Sequence, residues 1–72
     1  MTAIKITPAQ LATAQMGRAV ALNTGENLSA IPLQDGTWKY ILSWGGQVGL
    51  VAYAPPSLEA AVKALNAAEA TA

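Results

Sequence analysis

Residues Thr37-Trp38-Lys39-Tyr40-Ile41-Leu42-Ser43-Trp44, Gly45-Gly46 and Gln47-Val48-Gly49-Leu50-Val51-Ala52-Tyr53 decide the fold of this chain. Two runs rich in β-branched and aromatic residues flank a Gly-Gly pair, and Asp35-Gly36 lies just upstream. Two-residue Asp-Gly and Gly-Gly loops supply the positive φ angles of primed turns, so the pattern predicts two successive hairpins. Tight turns fix register, and register fixes which side chains share a face. With Asp35-Gly36 and Gly45-Gly46 as two-residue loops, Gln34 pairs with Thr37 and Trp44 with Gln47. One face then carries Ile31, Leu33, Trp38, Tyr40, Leu42, Trp44, Val51 and Tyr53. The other carries Leu28, Ala30, Pro32, Lys39, Ile41, Val48, Leu50 and Ala52, with Thr37 and Ser43.

Outward from this core, Asn27–Gln34 reads as a first strand, over about 28–34. Pro32 cannot donate to a ladder, so this strand is expected at an edge with that position facing outward. Thr7-Pro8-Ala9-Gln10 predicts a helix start, with Thr7 as cap, Pro8 at the first position and Gln10 completing a capping box. That helix is expected to run to about Leu22 and to stop at Asn23-Thr24-Gly25. Gly17 would sit in its interior at a cost of about 1 kcal/mol against Ala. Ser57 is placed to cap a second helix, over about 57–69, whose Leu58, Ala61, Val62, Leu65 and Ala68 form a core stripe; its Ala-rich tail is expected to fray. Met1–Ile6 reads as a brief strand or an arm. The expectation is one α+β domain over residues 1–72 in αβββα order. Its three-stranded antiparallel meander has strands over 28–34, 37–44 and 47–53 in order 1-2-3.

Composition narrows the chemistry. The 72 residues include no Cys and no His, which removes disulfides, Cys/His zinc sites and thiol or imidazole catalysis. No catalytic, metal or cofactor site is predicted. Four carboxylates and four cations are dispersed along the chain, 11% of residues are charged and net charge is zero. Soluble domains usually have about 25% charged residues. Basic residues are too few and too scattered for phosphate-driven nucleic-acid binding. No run approaches the about 18 apolar residues of a membrane span and no signal-peptide core is present, so a soluble, cytoplasmic protein without a membrane partner is expected. A chain this short buries only about 60% of the surface its unfolded form exposes, so assembly is the expected supplement.

All four aromatic residues are Trp or Tyr, which suit places where one end of a ring is packed and the other meets water or a partner. If both helices cover the aromatic face, the reverse face is left for a partner, with Leu28, Lys39, Ile41, Val48 and Leu50 as the candidate interaction residues. If the helices cover the aliphatic face instead, Trp38, Tyr40, Trp44 and Tyr53 form an exposed platform. The first arrangement is preferred, because large rings are costly to leave wet.

The helix–strand–strand–strand–helix layout resembles that of double-stranded-RNA-binding domains. Residues 36–66 are also similar to arm-binding domains of tyrosine recombinases, on Gly36-Thr37-Trp38-Lys39-Tyr40, the short turn, the following strand and Ser57-Leu58-Glu59-Ala60-Ala61. That resemblance implies nucleic-acid contacts through Lys and Arg at the strands or the second helix. This chain has Gln47, Gly49, Ala52, Ala60 and Ala61 there, with Lys39 and Lys63 basic. The reading is therefore a non-enzymatic protein–protein interaction module, acting as a homo-oligomer or as a subunit or inhibitor docked on a larger protein. Phage and mobile-element accessory proteins are often of this kind. A nucleic-acid-binding module is the alternative.

Overall fold

The computed structural model describes residues 3–71. The order is α1 (Pro8–Gln15), β1 (Val20–Ala21), β2 (Asn27–Pro32), β3 (Trp38–Trp44), β4 (Gln47–Ala54) and α2 (Leu58–Thr71). The strands form one antiparallel sheet in the order β1-β2-β3-β4. The α+β class and the meander agree with the sequence reading; the sheet has four strands where three were expected. No helix among the described residues is long and apolar enough to cross a membrane.

The extra strand exists because α1 ends early. Its start follows the sequence: the Gln10 N–H donates to Thr7 Oγ1 at 3.1 Å and the Thr7 N–H donates to Gln10 Oε1 at 2.9 Å. Its end does not. Gly17 has φ +94°. Its N–H donates to the Ala14 carbonyl at 3.0 Å and the Arg18 N–H to the Thr13 carbonyl at 3.3 Å, the paired bonds of a Schellman stop. The helix predicted to reach Leu22 therefore finishes at Gln15, and Val20 and Ala21 are free to pair with Leu28 and Asn27. Asn23-Thr24-Gly25 is a hairpin loop rather than a helix stop: the Leu22 N–H donates to the Glu26 carbonyl at 2.8 Å and the Gly25 N–H to Leu22 at 3.1 Å.

The β2–β3 loop repeats that geometry. The Leu33 N–H donates to the Thr37 carbonyl at 2.9 Å and the Gly36 N–H to Leu33 at 3.3 Å. The loop is thus the three residues Gln34-Asp35-Gly36, with Gly36 at φ +89° in the left-handed position that closes such loops. This overturns the two-residue Asp-Gly reading and moves the β2–β3 pairing by one residue: Tyr40 faces Ala30, and Leu42 faces Leu28. Gly45-Gly46 is the two-residue loop expected, with Trp44 opposite Gln47. Beyond it a bulge between Leu42 and Ser43 leaves Gly49 as an extra residue on β4, so the remaining pairs also move by one. Trp38 faces Pro32 and Ala54 instead of Leu33 and Tyr53, and Tyr40 faces Ala30 and Ala52 instead of Ile31 and Val51.

These two shifts exchange the partners of β3 between faces. One face now carries Leu28, Ala30, Trp38, Tyr40, Leu42, Leu50, Ala52 and Ala54, and both helices pack on it through Leu11, Ala14, Ala61 and Leu65. Tyr40 is fully buried between its alanine neighbours, and its hydroxyl donates to the Pro55 carbonyl at 3.2 Å. Alanine on either side leaves room for the ring that two bulky neighbours would deny it. Pro32 turns its nitrogen outward as expected, but β2 is not the edge strand predicted. It lies between β1 and β3, and β1 is so short that it pairs only with Asn27 and Leu28 and leaves Pro32 without a neighbour on that side. Leu33 and Thr37 are a bonded pair, so by alternation the Pro32–Trp38 pair is not, and the missing N–H points away from β3.

Residues 3–6 form an extended arm beside α2, with Ile4 and Ile6 buried in the same core and both edges tied by asparagine side chains. Met1 and Thr2 of the predicted N-terminal segment lie outside the described residues. In α2 the Ala60 N–H donates to Ser57 Oγ at 3.2 Å, the cap expected there. The helix holds through Thr71, beyond the expected fraying point.

Candidate functional site

Since both helices take one side of the sheet, the other side has no helix on it. The register arranges it in three rows across the strands. The first is Ala21–Asn27–Ser43–Val48, the second Ser29–Ile41–Val51 and the third Ile31–Lys39–Tyr53. Tyr53 is 60% exposed, Val48 66% and Ile31 45%, while Ile41, Val51 and Lys39 are half-buried by their neighbours. The face combines Ala21, Ile31, Ile41, Val48, Val51 and Tyr53 with Asn27, Ser29 and Ser43, and it carries a single cation among the described residues, Lys39, on strand β3 in the interior of the sheet.

The predicted interaction residues divide between the two sides. Lys39, Ile41 and Val48 lie on the open face as expected. Leu28 does not; it is fully buried opposite Leu42, and Leu50, half-buried, belongs to the same covered side. The aromatic platform also divides. Trp38, Tyr40 and Trp44 keep the covered side, whereas Tyr53 is on the open one, because the extra residue at Gly49 reverses the side on which β4 residues beyond it emerge. Ile31 and Val51, assigned from the sequence to the aromatic side, complete the open face. The pattern Leu33-Gln34-Asp35-Gly36-Thr37, which matches Leu22-Asn23-Thr24-Gly25-Glu26 in length and glycine position, was the signal that would have placed Ile31.

Trp44 marks the limit of the helical cover. It is 50% exposed, and its six-membered ring lies over Gly49, where a Cβ would collide with it. The glycine in the bulge thus serves as the seat for the ring, a close approach that any side chain would block.

Charged groups near this face are few. Asp35 lies in the β2–β3 loop, where the Thr37 hydroxyl donates to Oδ1 at 2.6 Å and the Thr37 N–H at 3.0 Å. Those two bonds hold its carboxyl below the ordinary value of 3.8. Elsewhere, an open groove of about 590 Å³ runs between the arm and α2, lined by Ile4, Ile6, Leu58 and Val62 with Lys5, Glu59 and Lys63. Its lining is mainly apolar, with Leu58 and Val62 half-buried and Ile4 and Ile6 buried in the core.

Comparisons with protein-family models, with curated proteins and with solved structures find no match to this chain.

Proposed function

We propose that this chain is a non-enzymatic protein-interaction module that docks through its open sheet face. One observation carries the reading: Ile41, Val48, Val51 and Tyr53 are neighbours across β3 and β4, with Ile31 beyond Lys39 in Tyr53's row, all on the side of the sheet that no helix covers. An antiparallel sheet with one wet side ordinarily alternates apolar with polar residues, and this one places apolar residues on both sides. Apolar surface of this kind marks sites of association, and an exposed Tyr at its margin suits a partly dry, partly wet contact. The low charge and zero net charge of the chain support an assembled state.

The discriminating variant is Ile41→Asp. Ile41 points away from the core, so the substitution is expected to lower the thermal midpoint but leave the chain folded, which its circular dichroism spectrum checks. Affinity capture from a lysate of the source organism, run with wild type and Ile41→Asp side by side, is expected to yield a protein species with the first and lose it with the second. Identical capture by the two would refute docking through this face.

A further inference from the structure

The open face mixes apolar side chains with Asn27, Ser29 and Ser43, and Lys39 is the charged group in its three rows. Lys39 occupies the third row between Ile31 and Tyr53, one row from Ile41. Lys39 is half-buried, the exposure expected of a lysine whose stem lies along apolar neighbours while its ammonium stays at the surface. Among the described residues no acid belongs to the three rows. Glu26 closes the β1–β2 loop and accepts from Thr24 Oγ1 at 2.9 Å, Asp35 is held by Thr37, and Glu59 and Glu69 are on α2.

We propose that the occupant of this face is an amphipathic helix of a partner protein whose apolar stripe contains one carboxylate, paired with Lys39. The proposal deepens the open-face reading and rests on it. Layer geometry supports a helix: β2, β3 and β4 span about 10 Å between outer strand axes, the width of one helix with its side chains. Domains cover apolar sheet faces with helices, and here the second side lacks one.

Charge selects among partners. A second copy meeting this face through a two-fold axis would bring the same patch onto itself. Each copy would bury its Lys39 ammonium against a face that, among the described residues, has no anion to offer. Nucleic acid supplies anions, but its affinity grows with the number of phosphates neutralised, and this face neutralises about one. A single carboxylate in an apolar stripe matches the single ammonium, and a charge-assisted bond in a water-excluded setting is the stronger kind.

The test uses a displayed library of helical peptides, apolar at i, i+3, i+4 and i+7, with one stripe position varied among Glu, Gln, Leu and Lys. Selection against the full chain is expected to enrich Glu. The enriched peptide is expected to bind Lys39→Met about tenfold or more weakly, and Lys39→Glu should shift the preference to Lys. Ile41→Asp should abolish binding of every peptide. Enrichment of Leu, with Lys39→Met binding as well as wild type, overturns the carboxylate pairing while leaving the open-face reading intact. Failure to enrich any peptide overturns the helical occupant. A dimer that Ile41→Asp dissociates, seen by sedimentation, would make a second copy the occupant and overturn the proposal. So would Lys39-dependent binding of a single-stranded oligonucleotide in place of the peptides.

Discussion

Asn66 holds Ile4 as a neighbouring strand would. The Ile4 N–H donates to Asn66 Oδ1 at 2.9 Å, and Asn66 Nδ2 donates to the Ile4 carbonyl at 3.2 Å and to the Val62 carbonyl at 2.9 Å. On the opposite edge of the arm the Lys5 N–H donates to Asn23 Oδ1 at 3.2 Å and Asn23 Nδ2 to the Ala3 carbonyl at 3.4 Å. An extended segment with no strand beside it thus gets its backbone partners from two side-chain amides, each a donor and acceptor in one plane. Ile4 can be buried because its own peptide groups are satisfied.

Asn66→Ala removes both partners of a part-buried peptide unit, and a loss of about 1–3 kcal/mol is expected. Urea denaturation measures it. Asn23→Ala, on the exposed edge, should cost less. Equal losses would mean that the burial of Ile4 is not what makes the first pair matter.

Gly17→Ala distinguishes two readings of the N-terminal third by sign alone. In a helix interior the change would stabilise by about 1 kcal/mol. At φ +94°, past the end of α1, it is expected to destabilise by about 1–2 kcal/mol. The thermal midpoint gives the answer, and a rise would restore the long helix.

Gly49→Ala is expected to expel the Trp44 ring from its seat. Because the ring is half exposed it can swing into solvent, so the stability cost should stay near 1 kcal/mol. The visible effect is a red-shifted Trp44 emission, read in a Trp38→Phe background. An unchanged spectrum would show that the ring does not rest on the glycine.

The carboxyl of Asp35 links loop closure to pH. Its folded pKa lies below the unfolded value because the Thr37 hydroxyl and N–H favour the carboxylate. Its contribution is therefore complete above the ordinary value of 3.8 and is lost as pH falls through the lowered one. The difference in urea midpoint between wild type and Asp35→Asn is expected to be constant from neutrality to about pH 5 and to narrow at lower pH. A gap that widens on acidification would contradict the assignment.

The sequence disclosed β3, β4, α2 and both helix caps, because those depend on local chemistry: β-prone runs, a Gly-Gly turn, a hydroxyl three residues before a free N–H. Register was harder. Asp35-Gly36 fits a two-residue or a three-residue loop equally well, and the choice moves β2 by one position. Gly49 reads as an ordinary weak strand residue until Trp44 is seen lying over it. Both errors displaced strands relative to β3, so Trp38, Tyr40 and Leu42 stayed together while Leu28, Leu50, Ile31, Val51 and Tyr53 changed sides. For the open face, Lys39, Ile41 and Val48 were legible because β3 and the tight turn were. The residues beyond the loop and the bulge depended on parity that composition does not encode.

The tie between Ile4 and Asn66 spans 62 residues, whereas the hairpins join neighbours in the chain. Short closures form early and long ones late, because loop-closure entropy must be met first. The arm is then the last piece to dock and the first to open, by an excursion that leaves the meander intact. Amide hydrogen exchange should show this as two tiers, with the Ile4 N–H exchanging through arm release and the Tyr40 amide only through global unfolding.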